Sequence, residues 1–307
     1  MSETQMQTGR MDWVREYLKE LPHCPLCHGR GATPLLELGP LRVWRCKDCR
    51  LMYLNPCLFP DEQKMIFSSP DFLTRVSEFF ADYYQGETWN TPRTLAVYNG
   101  VMRELASLFP AKGKIVDIGC GRGAFLKAAK AGGWTASGVE PNFDDAEHLR
   151  RDHDIEVFQG DFFEAALPES GFDVVSMWDL IEHVPEPGDW VRRCAKLLRP
   201  GGALLLATPN HFSFLDFLAF TSYRLSFGNF SYALEKLYTV DHTLYLTQHT
   251  LRDLFERSGF TVVKTIKVNT DLSRYAMGPL FRGIAEGLLA VGGLMQLHNR
   301  VIMIAIK

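Results

Sequence analysis

Lys114–Leu126, KIVDIGCGRGAFL, constrains this chain more than any other stretch. An apolar run ends at Asp117, glycines follow at 119, 121 and 123, and an apolar-periodic segment starts at Ala124. Glycine lets a backbone turn sharply and approach a ligand with no Cβ in the way. The turn opens a helix N-terminus, whose free N–H groups and partial positive charge suit an anionic group. Gly119-x-Gly121-x-x-Ala124 also satisfies the dinucleotide fingerprint. The loop therefore predicts a cofactor of nucleotide type and leaves its identity to later positions.

The rest of the chain supplies the matching rhythm. Strands are predicted at Lys114–Asp117, Thr135–Val139, Glu156–Gln159, Val174–Met177, Ala203–Ala207, Phe260–Val268 and Arg300–Ile306. Helices fall at Thr94–Phe109, Ala124–Ala131, Phe143–Arg151, Trp190–Leu197 and Thr250–Ser258, with a shorter one at Asp12–Leu21. Strands alternating with helices mean an α/β, doubly wound sheet covered on both faces. Two segments break the alternation: an aromatic-rich insertion at 211–245 and a helical one at 273–297. With 307 residues there is room for one full domain and a small one. A net charge of −3 with no basic stretch gives no reason to expect a nucleic-acid partner. No apolar run reaches the ~18 residues of a membrane span, and the first residues lack a signal-peptide core. The expectation is a cytoplasmic protein.

Three carboxylates bear on the cofactor. Glu140 ends the second strand, where an acidic side chain accepts both ribose hydroxyls of a nucleoside. Asp161, with Phe162 beside it, follows the third strand and is placed to accept from an adenine amino group; capping the next segment is its alternative role. Asp117 precedes the first glycine. A carboxylate there suits the ammonium of a methionine moiety and sits awkwardly beside a pyrophosphate, which favours a sulfonium cofactor over NAD.

The series VDIGCGRG, GVEP, GDFFE, FDVVSMWDLIEHV, LLRPGGALLLATPN and LRDLFERSGF, in this order, resembles the class I methyltransferases. More narrowly it is similar to the family that includes ubiquinone-biosynthesis O-methyltransferases and many sugar and natural-product methyltransferases. The resemblance covers roughly residues 94–307. It implies S-adenosylmethionine as cofactor, a Rossmann-like seven-stranded sheet and a reversed last strand, Arg300–Ile306, lying antiparallel between its neighbours. It implies a tight turn at Leu198–Gly202, where Pro200 and Gly201 suit type II geometry. Met177, Trp178 and Asp179, at the end of the fourth strand, are expected against the cofactor. The acceptor is expected to be a small molecule: a sugar, a phenol or quinone, or a natural-product intermediate. An NAD-dependent oxidoreductase and a non-catalytic cofactor-binding scaffold are the competing readings, and a homodimer is left open.

Five of the seven cysteines lie in the first 60 residues. Cys24-x2-Cys27 and Cys46-x2-Cys49, eighteen residues apart (28–45), have the spacing of a four-cysteine zinc ribbon. Zn2+ on four thiolates is a closed, structural site. Cys57 reads as a bystander, and His23 and His28 are secondary ligand candidates. Arg45–Pro56, RCKDCRLMYLNP, resembles the ribbon placed before a subset of these methyltransferases, with Arg50 where that pattern usually has glycine. The expected organisation is a ribbon at 1–60, a connector at 61–92 carrying Phe79, Phe80, Tyr83, Tyr84 and Trp89, and a methyltransferase domain at 93–307.

Methyl transfer is an in-line displacement, and a poor nucleophile must also lose a proton. The loop after the fourth strand offers His183 as general base with Glu182 beside it; bracing the turn that follows is the competing role of His183. The resemblance implies that, as in ubiquinone-type relatives, acidic and histidine residues of this loop can hold a divalent ion. Asp179, Glu182 and His183 match that arrangement in part, which makes Mg2+ a secondary expectation. His242 and Tyr245, in VDHTLYLT, face the acceptor or pack at the base of the insertion. The insertion's aromatics, Phe212 to Tyr238, form a lid or cover the sheet end.

Overall fold

The computed structural model describes residues 12–59, 90–275 and 277–307. The connector aromatics Phe79, Phe80, Tyr83, Tyr84 and Trp89 lie outside the described residues. The chain opens with a 3-10 turn, Asp12–Tyr17, and five short strands: β1 Leu18–Lys19, β2 Ala32–Leu38, β3 Leu41–Cys46, β4 Met52–Leu54 and β5 Cys57–Leu58. The helix expected at Asp12–Leu21 is thus corrected to a single 3-10 segment followed by a strand. Leu18 and Lys19 pair antiparallel with Leu58 and Cys57. A run this short gains little from helical nucleation, and cross-strand bonds take its backbone groups instead.

The larger unit begins at α1, Pro92–Leu108. Thr91 caps it by accepting from the Thr94 N–H, and Pro92 occupies the first turn, where its missing donor costs nothing. Then come β6 Lys114–Ile118, α2 Ala124–Ala131, β7 Thr135–Glu140, α3 Phe143–His153, β8 Glu156–Gln159 and β9 Phe172–Trp178. After α4 Pro187–Leu197 and β10 Leu198–Pro209, the insertion supplies α5 Phe214–Leu225, α6 Tyr232–Leu237 and β11 Leu244–Tyr245. The chain closes with α7 Gln248–Arg257, β12 Thr261–Val268, α8 Pro279–Leu294 and β13 Arg300–Ile306.

Seven strands form one sheet in the order β12-β13-β10-β9-β6-β7-β8. The five from β8 to β10 are mutually parallel, and β13 runs antiparallel to both β10 and β12, as expected from the resemblance. The central strands are apolar without alternation because both faces are covered: Leu204, Leu205, Leu206, Ile302, Met303 and Ile304 are all fully buried. Successive residues point to opposite faces, so Val116 and Leu206 join one apolar cluster while Ile115 and Leu205 join the other. Gly201 sits at φ +74° at the start of β10, in the left-handed conformation that a type II turn demands of its third residue.

The ribbon is not a separate bead. Val14, Leu36, Val43, Leu51 and Leu54 belong to the same apolar cluster as Val116, Leu204 and Leu206. Its sheet runs β11-β4-β3-β2, so the outermost strand is lent by the insertion nearly two hundred residues later: Leu244 pairs with Tyr53 and Tyr245 with Met52. No described helix is long and apolar enough to cross a membrane.

Candidate functional site

The glycine loop leaves β6 and enters α2 at the carboxyl end of the sheet. Gly119, Gly121 and Gly123 adopt φ of +69°, +50° and +70°, a conformation costing any other residue about 1–2 kcal/mol. At Gly123 the requirement is doubled, since a Cβ there would lie 2.3 Å from Leu149 Cδ2. Glu140, at the end of β7, clasps this loop. Its two oxygens accept from the Gly121 N–H at 2.7 Å and the Asn142 N–H at 2.9 Å. Each carboxylate oxygen keeps a second lone pair for a ribose hydroxyl. Burial raises its pKa to about 7 against the pull of those two donors.

Asp117 ends the apolar run of β6, almost wholly buried, and accepts one bond from Ser176 Oγ at 2.7 Å. Burial pushes it up to about 8, with the hydrogen bond from Ser176 opposing and the nearby Glu140 adding to the rise. A buried carboxyl of this kind is a receptor for a cation: an ammonium brought beside it would return it to its charged form. Asp161 accepts from the Phe163 N–H at 2.7 Å, so its capping role is present in the structure. Phe162 is buried between Trp190, 5.2 Å away ring to ring, and the Arg193 guanidinium at 5.0 Å. Trp178, at the tip of β9, packs on Tyr98 and Phe125 at 4.8 Å and 4.9 Å.

Sequence reasoning missed two residues here, Arg300 and Tyr98. Asp179 sits at φ +51° and pairs with Arg300 at 2.6 Å, which ties the end of β9 to the start of β13. A cleft beside this pair is lined by Arg93, Tyr98, Trp178, Asp271, Arg274 and Arg300. An arginine opening an otherwise apolar strand was the available signal for Arg300. Nothing local announced Tyr98, which owes its place to the packing of α1 on the sheet.

Beyond Asp179 the chain makes a 3-10 turn, Ile181–His183, that carries the two candidate catalytic groups. Glu182 is buried, accepts from Thr208 Oγ1 at 3.0 Å and is raised to about 7 by that burial. His183 Nδ1 lies 2.7 Å from the backbone oxygen of Asp241. A carbonyl oxygen only accepts, so Nδ1 carries a proton, and in the neutral ring the lone pair then sits on Nε2, the form a general base requires. His242 joins from the insertion, its ring 4.7 Å from that of His183. Burial holds it near 4, well below an ordinary histidine, with Asp241 opposing. Tyr245 borders this group, its ring 6.5 Å from that of His242. It donates to the Thr239 oxygen at 2.9 Å and packs against Tyr238 and His211.

Among the described residues Glu182 Oε1, Asp241 Oδ1 and His242 Nδ1 are buried with no hydrogen-bond partner. Glu182, His183 and His242 each offer a ligand atom within 4.8 Å of the others. The gathered set differs from the expected Asp179, Glu182 and His183, because Asp179 is taken up by Arg300. Two imidazoles and one carboxylate suit zinc or iron better than Mg2+, which prefers oxygen ligands.

At the other end of the ribbon the four predicted cysteines meet. Sγ of Cys24 lies 3.5 Å from that of Cys49, and Cys27 3.5 Å from Cys46. Four sulfurs at about 2.3 Å from one tetrahedral ion would stand nearly as close, so the residues fit zinc. The hydrogen bond from Cys49 pulls Cys24 down to about 5. The two secondary candidates, His23 and His28, contact each other through Nδ1 at 3.3 Å and stand outside the sulfur cluster. Each CxxC pair is followed by a left-handed residue, His28 at φ +58° and Arg50 at +65°; Arg50 thus holds a conformation that glycine adopts more readily.

A sheet with a reversed seventh strand and a glycine turn over buried carboxylates defines a class I S-adenosylmethionine-dependent methyltransferase fold, and it sets the dinucleotide alternative aside. The chain belongs to the family described as methyltransferase domain, whose profile matches residues 93–265, more than half of its length. It is 35% identical over 105 residues to the ubiquinone biosynthesis O-methyltransferase of Thiobacillus denitrificans, covering 32% of this chain and 44% of that protein. With the enzyme of the same name from Escherichia coli it shares 33% over 103 residues, covering 32% and 43%. The match thus spans less than half the length of these relatives. A chain from the solved complex of the Haloferax volcanii Trm112 methyltransferase activator with a methyltransferase is 15% identical, with a TM-score of 0.50. That match covers 75% of this chain and 97% of the other, a likeness of fold.

Proposed function

We propose that the chain transfers the methyl group of S-adenosylmethionine to a small-molecule acceptor whose nucleophilic atom first gives up a proton to His183. The observation that supports this reading is the bond from His183 Nδ1 to the Asp241 oxygen, which in the neutral ring leaves the lone pair on Nε2, on the 3-10 turn that follows β9. The cofactor supplies an activated methyl on a sulfonium. Asp117 holds its ammonium, Glu140 accepts from its ribose and Asp161 from its adenine, with Phe162, Trp178 and Asp179 shaping the walls. His242, held neutral, orients His183 and the acceptor, while Glu182 stabilises the imidazolium that forms. Zn2+ on Cys24, Cys27, Cys46 and Cys49 holds the ribbon, residues 1–60, ahead of a connector at 61–92 and the catalytic domain at 93–307.

Sugars, phenols or quinols, and natural-product intermediates are the acceptor classes proposed; the ubiquinone biosynthesis relatives support the phenolic one. The test is a labelled-methyl assay over a panel of these acceptors with wild type and His183→Gln. Label transfer reduced at least a hundredfold in the variant, with S-adenosylhomocysteine affinity unchanged, is the expected outcome. Full transfer by the variant would remove His183 from the chemistry. Cofactor binding with no transfer to any member of the panel would favour a scaffold that engages a partner through its ribbon.

A further inference from the structure

We propose that the ribbon is a working part of the acceptor side of the site: strand β4 fixes β11 and, through Thr243, sets the position of His183 and His242. The inference rests on the reading of His183 given above, but its geometry is independent of any acceptor.

Thr243 is a three-way junction with no exposed surface. Its carbonyl accepts from the Leu54 N–H of the ribbon at 2.9 Å. Its own N–H donates to the backbone oxygen of Glu182 at 2.9 Å, and its hydroxyl donates to the backbone oxygen of His183 at 3.1 Å. One residue earlier stands His242. One further back, the Asp241 oxygen receives the His183 Nδ1 proton. The backbone on both sides of His242 is therefore pinned to the 3-10 turn that carries His183, and the same stretch is zipped to β4 by the Leu244–Tyr53 and Tyr245–Met52 pairs.

The line continues to the sulfurs. β4 pairs with β3, whose last residue is Cys46. The Cys46 N–H donates to Leu51, which lies between Cys49 and β4. The sulfurs flank the turn from β3 into β4, so the ion braces the pairing of these strands. When the ion leaves, β4 loses that brace and its pairing with β11 loosens. Met52, Tyr53, Leu54, Leu244 and Tyr245 are all buried, so water does not readily replace the lost bonds. Thr243 is then a positioning residue, acting on the two histidines without touching substrate.

The test uses the full chain, zinc-loaded, against Cys46→Ser protein, whose ribbon no longer holds its zinc, and against Thr243→Val and Thr243→Ser. Three quantities are read: S-adenosylhomocysteine affinity by calorimetry, ring-nitrogen spectra of His183 and His242, and amide exchange across 181–184 and 241–246. Zinc removal and Thr243→Val are expected to leave affinity within about twofold. Both should broaden or shift the Nδ1-protonated signature of His183 and speed exchange of the two segments about fivefold or more, the loss of one net hydrogen bond. Thr243→Ser keeps the hydroxyl and should restore both signals. Histidine spectra and exchange indifferent to zinc and to Thr243→Val would overturn the proposal. So would equal loss of cofactor affinity, which would mean general unfolding. His183→Gln that turns over normally would sink the base assignment alone, leaving the spectra to report on the junction.

Discussion

With Asp117 in its proposed role of holding the cofactor's ammonium, its buried carboxyl makes cofactor affinity depend on pH by an amount that follows from its pKa. With its pKa at about 8, most Asp117 is protonated at neutral pH in the free protein. Holding an ammonium requires the charged form, so binding must first expel that proton. The observed dissociation constant then exceeds its limiting value by 1 + 10^(8−pH), a factor of roughly a hundred at pH 6 and roughly four at pH 7.5. Affinity for S-adenosylhomocysteine, which carries the same ammonium, is expected to rise roughly twenty-five-fold over that interval, or about 1.9 kcal/mol. The sign is opposite for stability. A carboxyl raised in the folded state binds its proton more tightly there, so the free protein loses stability as pH climbs from about 4 through 8. Glu140, raised to about 7, contributes a shallower component of the same sign. Calorimetry of wild type and Asp117→Asn at four pH values separates the two, because the variant keeps only the Glu140 component. Parallel pH curves for the two proteins would refute the idea that Asp117 ionises to hold the ammonium.

Two further outcomes follow from the backbone. Arg50→Gly relieves a left-handed residue in the second zinc knuckle and is expected to stabilise by about 0.5–1 kcal/mol after the added freedom of the unfolded chain is counted; a lower midpoint in thermal unfolding of the zinc-loaded protein would contradict this. Gly123→Ala combines positive φ with a Cβ 2.3 Å from Leu149 Cδ2. It should cost roughly 2–4 kcal/mol in denaturant unfolding and weaken S-adenosylhomocysteine more than tenfold, and a variant within about 0.5 kcal/mol of wild type would show that α3 gives way freely.

Local patterns made the sheet and the sulfur cluster legible. Glycines at 119, 121 and 123 and the apolar strands carry their geometry in their own residue types, and two CxxC pairs announce the four-sulfur cluster by spacing. What escaped was made by pairings distant in the chain. The pairing of β11 with β4 unites residues 52–53 with 244–245, and no pattern in LMYL or TLYL names the other. The same holds for Arg300 on Asp179 and for Asp241 on His183. Leu18–Lys19 went astray for the same reason: its partner, Cys57–Leu58, lies nearly forty residues away. His242 was legible as a histidine of interest, but its neighbour in space was not.

The strand that the insertion lends to the ribbon sheet also bears on where this chain can be cut. A truncated chain starting after residue 60 would leave β11 with its hydrogen-bonding edge bare and its apolar side chains uncovered, the profile of a sticky sheet margin. Conversely, an isolated ribbon would lack its outermost strand. The two segments are halves of a single joint, and a lineage that dropped one would have to remodel the other at the same time.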